Sequence, residues 1–271
     1  VSRAVRQSGR LVLNADDALL REKAQQFDGE IVWFSLDAQN PVIKSAIDAG
    51  QLCFALDDEA LLVFEGGDRK LICHSSDIPI TLGGAARHNT ANSLAAAALS
   101  YCLDMPMDAI RHGLKTMVQD ENPGRCNIYD LDGIKVLVDF AHNPAAMHAL
   151  FDMAQAIPAE RRALCFGQAG DRPDGLIREM AHDAWAIGLD KVMVSELAPY
   201  HRGRGYKEVY AVIKEALLEA GATASQIEHH EEEIESFSAA LEWAQAGDLV
   251  IMLALGGAAP VQQRLKDLGA K

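Results

Sequence analysis

Ile134-Lys135-Val136-Leu137-Val138, followed at once by Asp139-Phe140-Ala141-His142-Asn143-Pro144, joins a strand to the start of a helix. The first five residues are β-branched and apolar enough for a strand covered on both faces, as in a parallel sheet. Ala145 to Phe151 then places apolar residues at helical spacing, with Pro144 in the first turn and Asn143 as the cap. In an open α/β sheet, ligands collect at the carboxyl ends of strands, and anions are drawn to helix N-termini. Asp139, His142 and Asn143 are therefore candidate ligand-facing residues. The bland alternative makes Asp139 a helix cap and His142 a solvated loop residue.

Outward from that junction the pattern repeats. A hairpin, Cys126 to Leu131 and Ile134 to Asp139, turns at Asp132-Gly133. Strands at Arg162–Gly167, Lys191–Ser195 and Asp248–Leu253 then alternate with helices at Pro173–Ile187, Tyr206–Ala220 and Ile234–Ala246, and a last helix follows Pro260. Such alternation predicts a Rossmann-like domain with a mainly parallel sheet and helices on both faces. Upstream, strands at Arg10–Asn14 and Ile31–Ser35 flank a helix from Ala18 to about Gln26. Three short strands, Cys53–Leu56, Ala60–Phe64 and Lys70–Cys73, are separated by charged or glycine-rich turns, which reads as antiparallel hairpins. An Ala-rich helix from Asn89 to about Leu103 and another from Met107 to Met117 complete a smaller α/β piece.

The 271 residues hold 25 Lys and Arg against 39 Asp and Glu, a formal charge of −14. Repulsion disfavours nucleic acid or an anionic membrane as partner. Five scattered cysteines without a C-x-x-C pair read as reduced thiols of a cytoplasmic protein. Val1-Ser2-Arg3 does not lead into a signal-type apolar region, and no run is apolar and long enough to span a bilayer. Glu231-Glu232-Glu233-Ile234-Glu235 reads as a solvated helix start, since consecutive carboxylates on one helix cannot converge on one ion. No metal ligand set is assigned, and His74, His112, His148, His182, His229 and His230 read as surface or packing residues.

Three motifs carry a resemblance. In chain order they are Arg87-His88-Asn89-Thr90-Ala91-Asn92-Ser93-Leu94-Ala95-Ala96, Asn122-Pro123-Gly124-Arg125-Cys126-Asn127 and Asp139-Phe140-Ala141-His142-Asn143-Pro144. Together they resemble the C-terminal part of the Mur ligase superfamily, whose members join a carboxylate to an amine through an acyl phosphate formed from ATP. The wording is most similar in the cyanophycin synthetase branch. Arg202-Gly203-Arg204 with Glu208 is similar to that branch's Arg-Gly-Arg-x-x-Gly-Glu element, with Lys207 in place of the glycine.

The resemblance implies that 1–121 is the back portion of a central ATPase domain and 122–271 the C-terminal domain. It further implies ATP as cofactor, with Asn89 and Asn92 on the adenine, Arg125 on phosphate or ribose oxygens, and Asp139 accepting from the ribose hydroxyls. Asn89 alone could also be a helix cap, and Arg125 a surface ion pair. His142 would serve as a general base or an electrostatic positioner, and Asn143 would face the substrate. The loop Gly167-Gln168-Ala169-Gly170-Asp171-Arg172 follows the next strand, and Arg172 would clamp a carboxylate. Arg202 and Arg204 follow the third strand, so the substrate is a small molecule or peptide with acidic groups.

The 271 residues contain no Gly-Lys dipeptide, and hence no Gly-x-x-x-x-Gly-Lys-Ser/Thr phosphate loop. The expectation is a piece of a longer ligase beginning inside the central domain, with the Mg²⁺ ligands upstream and with little activity of its own. Another Mur-type ligase, acting on a muramyl peptide or a folylpolyglutamate-like substrate, and an inactive nucleotide- or peptide-binding remnant are the rival readings. Oligomer formation stays open.

Overall fold

The computed structural model describes Val5 and residues 9–271, so Val1-Ser2-Arg3 lies outside the described residues. The chain divides into two compact units, residues 1–118 and 119–271, each with its own sheet.

The first unit runs β1 (Arg10–Asn14), α1 (Ala18–Ala24), β2 (Glu30–Ser35), α2 (Pro41–Asp48), β3 (Cys53–Asp57), β4 (Ala60–Glu65), β5 (Asp68–His74), α3 (Arg87–Cys102) and α4 (Met107–Thr116). Its sheet has the order β1-β2-β3-β4-β5, parallel across the first three strands and antiparallel across the last two pairs. Val32, Phe54, Leu61, Val63 and Ile72 from the strands pack with Leu94, Ala97 and Ala98 of α3. Helix α2 was not apparent from the sequence. Asn40 starts it by accepting the Val42 N–H at 3.0 Å, and Pro41 occupies the first helical position.

The second unit runs β6 (Asn127–Leu131), β7 (Ile134–Asp139), α5 (Pro144–Ala156), β8 (Arg162–Phe166), α6 (Asp174–Ala186), β9 (Lys191–Ser195), α7 (Glu208–Glu219), β10 (Ile227–His230), α8 (Glu233–Trp243), β11 (Leu249–Leu253) and α9 (Ala258–Asp267). Its sheet has the order β10-β9-β8-β11-β7-β6, and every pair is parallel except β6 with β7. Asp132 and Gly133, which turn that hairpin, have φ of 51° and 87°, the two positive values a type I′ turn requires. Val136, Cys165, Met193, Val250 and Met252 pack against Phe237 and Ala240 of α8 and Val261 and Leu265 of α9. Helices α5, α6 and α7 lie side by side. All five residues of β11 are buried, and each such aliphatic side chain contributes about 1.5–3 kcal/mol. This is the mixed α/β, mainly parallel architecture that the strand and helix alternation implies.

Candidate functional site

In the second unit the chain leaves β7, skips the place of β11 to form β8, and fills that place only after β10. The strand order therefore reverses beside β8, which is where open α/β sheets bind ligands. The loops after β7, β8, β9 and β11 line a single cavity of about 430 Å³ there, walled by Phe140, His142, Gln168, Ala169, Asp171, Arg172, Leu197, Tyr200, Arg202 and Leu255, with Pro173 and Leu176 from the start of α6.

From β7, His142 directs Nδ1 to the Phe140 carbonyl at 2.9 Å. The carbonyl only accepts, so Nδ1 carries the proton and Nε2 of the neutral ring is the free acceptor. Asn143 caps α5 by accepting the Ala146 N–H at 3.0 Å, as the sequence indicates. Asp139 is 7% exposed and is not the cap. Its Oδ2 accepts the Cys126 N–H at 2.8 Å and the Cys126 Sγ at 3.2 Å, and its Oδ1 accepts the Ala141 N–H at 2.6 Å. Burial, with the Asp139 charge beside it, pushes the Cys126 thiol far up, so it stays protonated and donates. Arg125 is exposed, and its guanidinium lies 5.2 Å from the centre of the Phe140 ring.

The Asn-Pro-Gly-Arg-x-Asn motif closes on itself. Asn127, fully buried, accepts the Gly124 N–H at 2.6 Å and donates to the Gln119 and Asn122 carbonyls at 2.9 and 3.2 Å. Gly124 has φ of 71°, and a Cβ there would meet that of Ala258 at 2.8 Å, so glycine is required.

The β8 and β9 loops are fastened together. Gly170 N–H donates to the Tyr200 carbonyl at 2.9 Å, and a Cβ on Gly170 would stand 1.9 Å from the His201 carbonyl oxygen. Arg204 donates to the Gly170 and Arg172 carbonyls, each at 2.7 Å, and pairs with Asp174. It braces the β8 loop and does not line the cavity. Arg202 pairs with Asp171, whose carboxyl it holds below the usual range, and lies near the Tyr200 ring. Among the described residues, Arg172 alone of the three guanidinium groups has no ion pair, and its Nε is buried without a partner.

Three groups stand out that the sequence did not single out. Gln168 is 3% exposed, and neither atom of its amide is hydrogen-bonded. Glu196, at the end of β9, accepts from His201 Nε2 at 3.1 Å and His229 Nε2 at 2.9 Å, so His229 is more than a packing residue. Glu233 corrects the reading of its acidic run as wholly solvated. Its carboxylate accepts the Leu255 and Gly256 N–H groups, both at 2.7 Å, and burial pushes it up despite those bonds.

In the first unit, Asn89 is buried within α3 and donates to the Ile80 carbonyl at 2.7 Å, while Ala86 is the cap residue. Asn92, exposed, donates to Asn89 Oδ1 at 3.5 Å. Among the described residues, no three His, Cys, Asp or Glu side chains could together hold a metal ion, and no helix is long and apolar enough to cross a membrane.

A family model described as Mur ligase, glutamate ligase domain, matches residues 124–256. Cyanophycin synthetase of Synechocystis sp. is 30% identical over 227 residues, which is 83% of this chain and 26% of the relative. That of Crocosphaera subtropica is 29% identical over 254 residues, 93% of this chain and 29% of the relative. The chain thus spans under a third of the length of these relatives. A murein peptide ligase from Psychrobacter arcticus superposes with a TM-score of 0.63 at 18% identity, covering 98% of this chain and 52% of that one, a likeness of fold. The chain belongs to the Mur ligase superfamily and carries its C-terminal part, with residues 124–256 as the ligase domain that names the family model.

Proposed function

We propose that this chain is the C-terminal part of an ATP-dependent ligase, similar to cyanophycin synthetase, that joins an amino acid or peptide through an acyl phosphate. The observation that supports it most is the cavity at the strand reversal, where Arg172 is an unpaired cation on the wall and His142 presents a free acceptor nitrogen. Relatives that carry the name cyanophycin synthetase align across most of the chain. In this reading residues 1–121 belong to the ATPase domain, the protein works in the cytoplasm, and the Mg²⁺ ligands come from outside these residues.

Of the groups assigned to ATP, Arg125 and Asn92 are exposed and fit contact with a nucleotide oxygen and a base edge. Asn89 and Asp139 are buried and hold the Ile80 carbonyl and the Cys126 N–H. ATP supplies the phosphoryl group that activates the acid. Arg172 holds a substrate carboxylate, Arg202 and Arg204 fix the rim, and Asn143 sets the helix start that places His142. His142 then takes a proton from the attacking amine at Nε2, or orients it.

The test is an assay of the complete product of the gene that carries these residues. ADP and inorganic phosphate should form only when both an acid and an amine acceptor are present, with an amide as product. AMP formation, or turnover unaffected by Arg172→Ala, would overturn the reading.

A further inference from the structure

The cavity of the second unit holds three charged side chains, and two of them neutralise each other, since Arg202 is paired with Asp171. Arg172 is left as the one cation without an ion pair on that wall among the described residues. One carboxylate on the ligand balances it. A second ligand charge would be desolvated against apolar walls, Leu176, Leu197 and Leu255, with no counter-charge.

Gln168 shares that wall and is the anomaly. Both its Nε2 and its Oε1 are buried without a partner. Ser195 Oγ, also unpartnered, lies at the end of the neighbouring strand, 3.3 Å from where a Cβ on Gly167 would stand. Burying an amide unpaired is costly, so a fold retains one where something else completes it. A carboxylate can satisfy Nε2 alone, and an ammonium Oε1 alone. An N–H and a C=O on the same side of one group meet both with straight hydrogen bonds, which a single hydroxyl oxygen cannot.

We propose that Gln168 is the specificity-determining residue of this cavity, and that the ligand it selects carries one carboxylate, for Arg172, and beside it a neutral N–H and C=O pair. This rests on the cavity being the substrate site. A primary carboxamide on a monocarboxylate offers that chemistry, as in the side chain of a C-terminal glutamine or asparagine whose nitrogen is acylated, whereas the N–H and C=O of a trans peptide bond point opposite ways and cannot both meet Gln168. At about 430 Å³ the cavity is within the size range of small-ligand sites.

The test titrates the full 271-residue protein, followed by NMR, with succinamate, N-acetylalanine and 4-methylpentanoate, which are monocarboxylates with a primary carboxamide, with a trans amide and without an amide. Succinamate should bind about tenfold to a hundredfold tighter than 4-methylpentanoate, and tighter than N-acetylalanine. Gln168→Met should erase that preference while leaving the melting temperature unchanged or higher, because an unpaired buried amide has been replaced by an apolar group of similar length. A purely structural glutamine would lose stability instead. Arg172→Ala should weaken all three probes and keep their ratio. If the carboxylates bind through Arg172 but without amide preference, or if Gln168→Met lowers the melting temperature and keeps the preference, the Gln168 assignment falls and the reading of the cavity stands. If no probe binds, both fall.

Discussion

Asp139 holds two backbone N–H groups before it can do anything else. One belongs to Cys126, whose φ of 52° is a conformation that needs holding in a residue with a side chain. Asp139→Asn would turn an amide NH₂ toward one of these donors and leave it unmet. The expected outcome is a loss of about 1–3 kcal/mol in denaturant unfolding of residues 119–271, in addition to any change in nucleotide affinity. Arg125→Ala should do the reverse, raising the KM for ATP of the complete ligase with no change in melting temperature, because the side chain is exposed and lies over the Phe140 ring. His142→Ala separates two roles in the same assay: loss of a general base gives a fall in kcat that high pH partly rescues, and loss of a positioner gives a fall independent of pH. The junction itself, with Asn143 as cap and His142 at the cavity, was legible because cap, proline and strand are adjacent in sequence. The partner of Asp139 was not, since Cys126 lies thirteen residues upstream and comes alongside only once the β6–β7 hairpin has formed. Gln168 and Glu196 escaped for the same reason. An unpaired amide, or a carboxylate between two imidazoles, is a property of neighbours and not of any local pattern.

At the scale of elements, the start of α7 keeps a glycine's conformation without the glycine. Lys207, which replaces the glycine of the resembled motif, has φ of 64°. The left-handed region costs a residue with a Cβ about 1–2 kcal/mol, and glycine returns part of that through its looser unfolded chain. Lys207→Gly should therefore stabilise the second unit by about 0.5–1 kcal/mol in equilibrium unfolding. Ahead of β11, Asp248 is 2% exposed and takes the Arg161 guanidinium at 2.5 and 3.2 Å. Burial pushes its carboxyl up, but Arg161 and the Gln245 N–H outweigh that and hold it below the usual range. A depressed folded-state value means the stabilisation is whole above the unfolded value of about 3.9 and is lost as pH falls through the folded one. Asp248→Asn should flatten the acid limb of the stability curve, and since Arg161 is a third exposed its cost at neutral pH should be only about 1–2 kcal/mol. Long apolar strands such as β7, β8 and β11 could be read from sequence because burial on both faces writes itself as an unbroken apolar run. Strand β10, Ile227-Glu228-His229-His230, could not. It is a four-residue edge strand whose polar side chains leave no alternation to see.

For the molecule as a whole, six of the nine large exposed apolar residues among the described residues, Leu19, Leu71, Leu99, Leu103, Met105 and Val118, lie in the first unit, whose sheet has β1 at one edge. That unit should unfold at lower denaturant than the second, giving two transitions, and limited proteolysis near residues 118–122 should release a folded C-terminal fragment. A single cooperative transition by several probes would argue against it. The 271-residue polypeptide by itself should hydrolyse no ATP above background, because its sequence contains no Gly-x-x-x-x-Gly-Lys-Ser/Thr motif to place the triphosphate. Robust turnover by the purified polypeptide would contradict that. The fastening of the β8 and β9 loops has a different consequence. With Gly170 seated on the His201 backbone and Arg204 reaching back across to residues 170 and 172, the two loops form one mechanical part. A new ligand preference then requires change in both loops, since neither can drift while the other stands still. The pair should be inherited as a cassette, and an engineer grafting it into a related ligase would have to move both loops together.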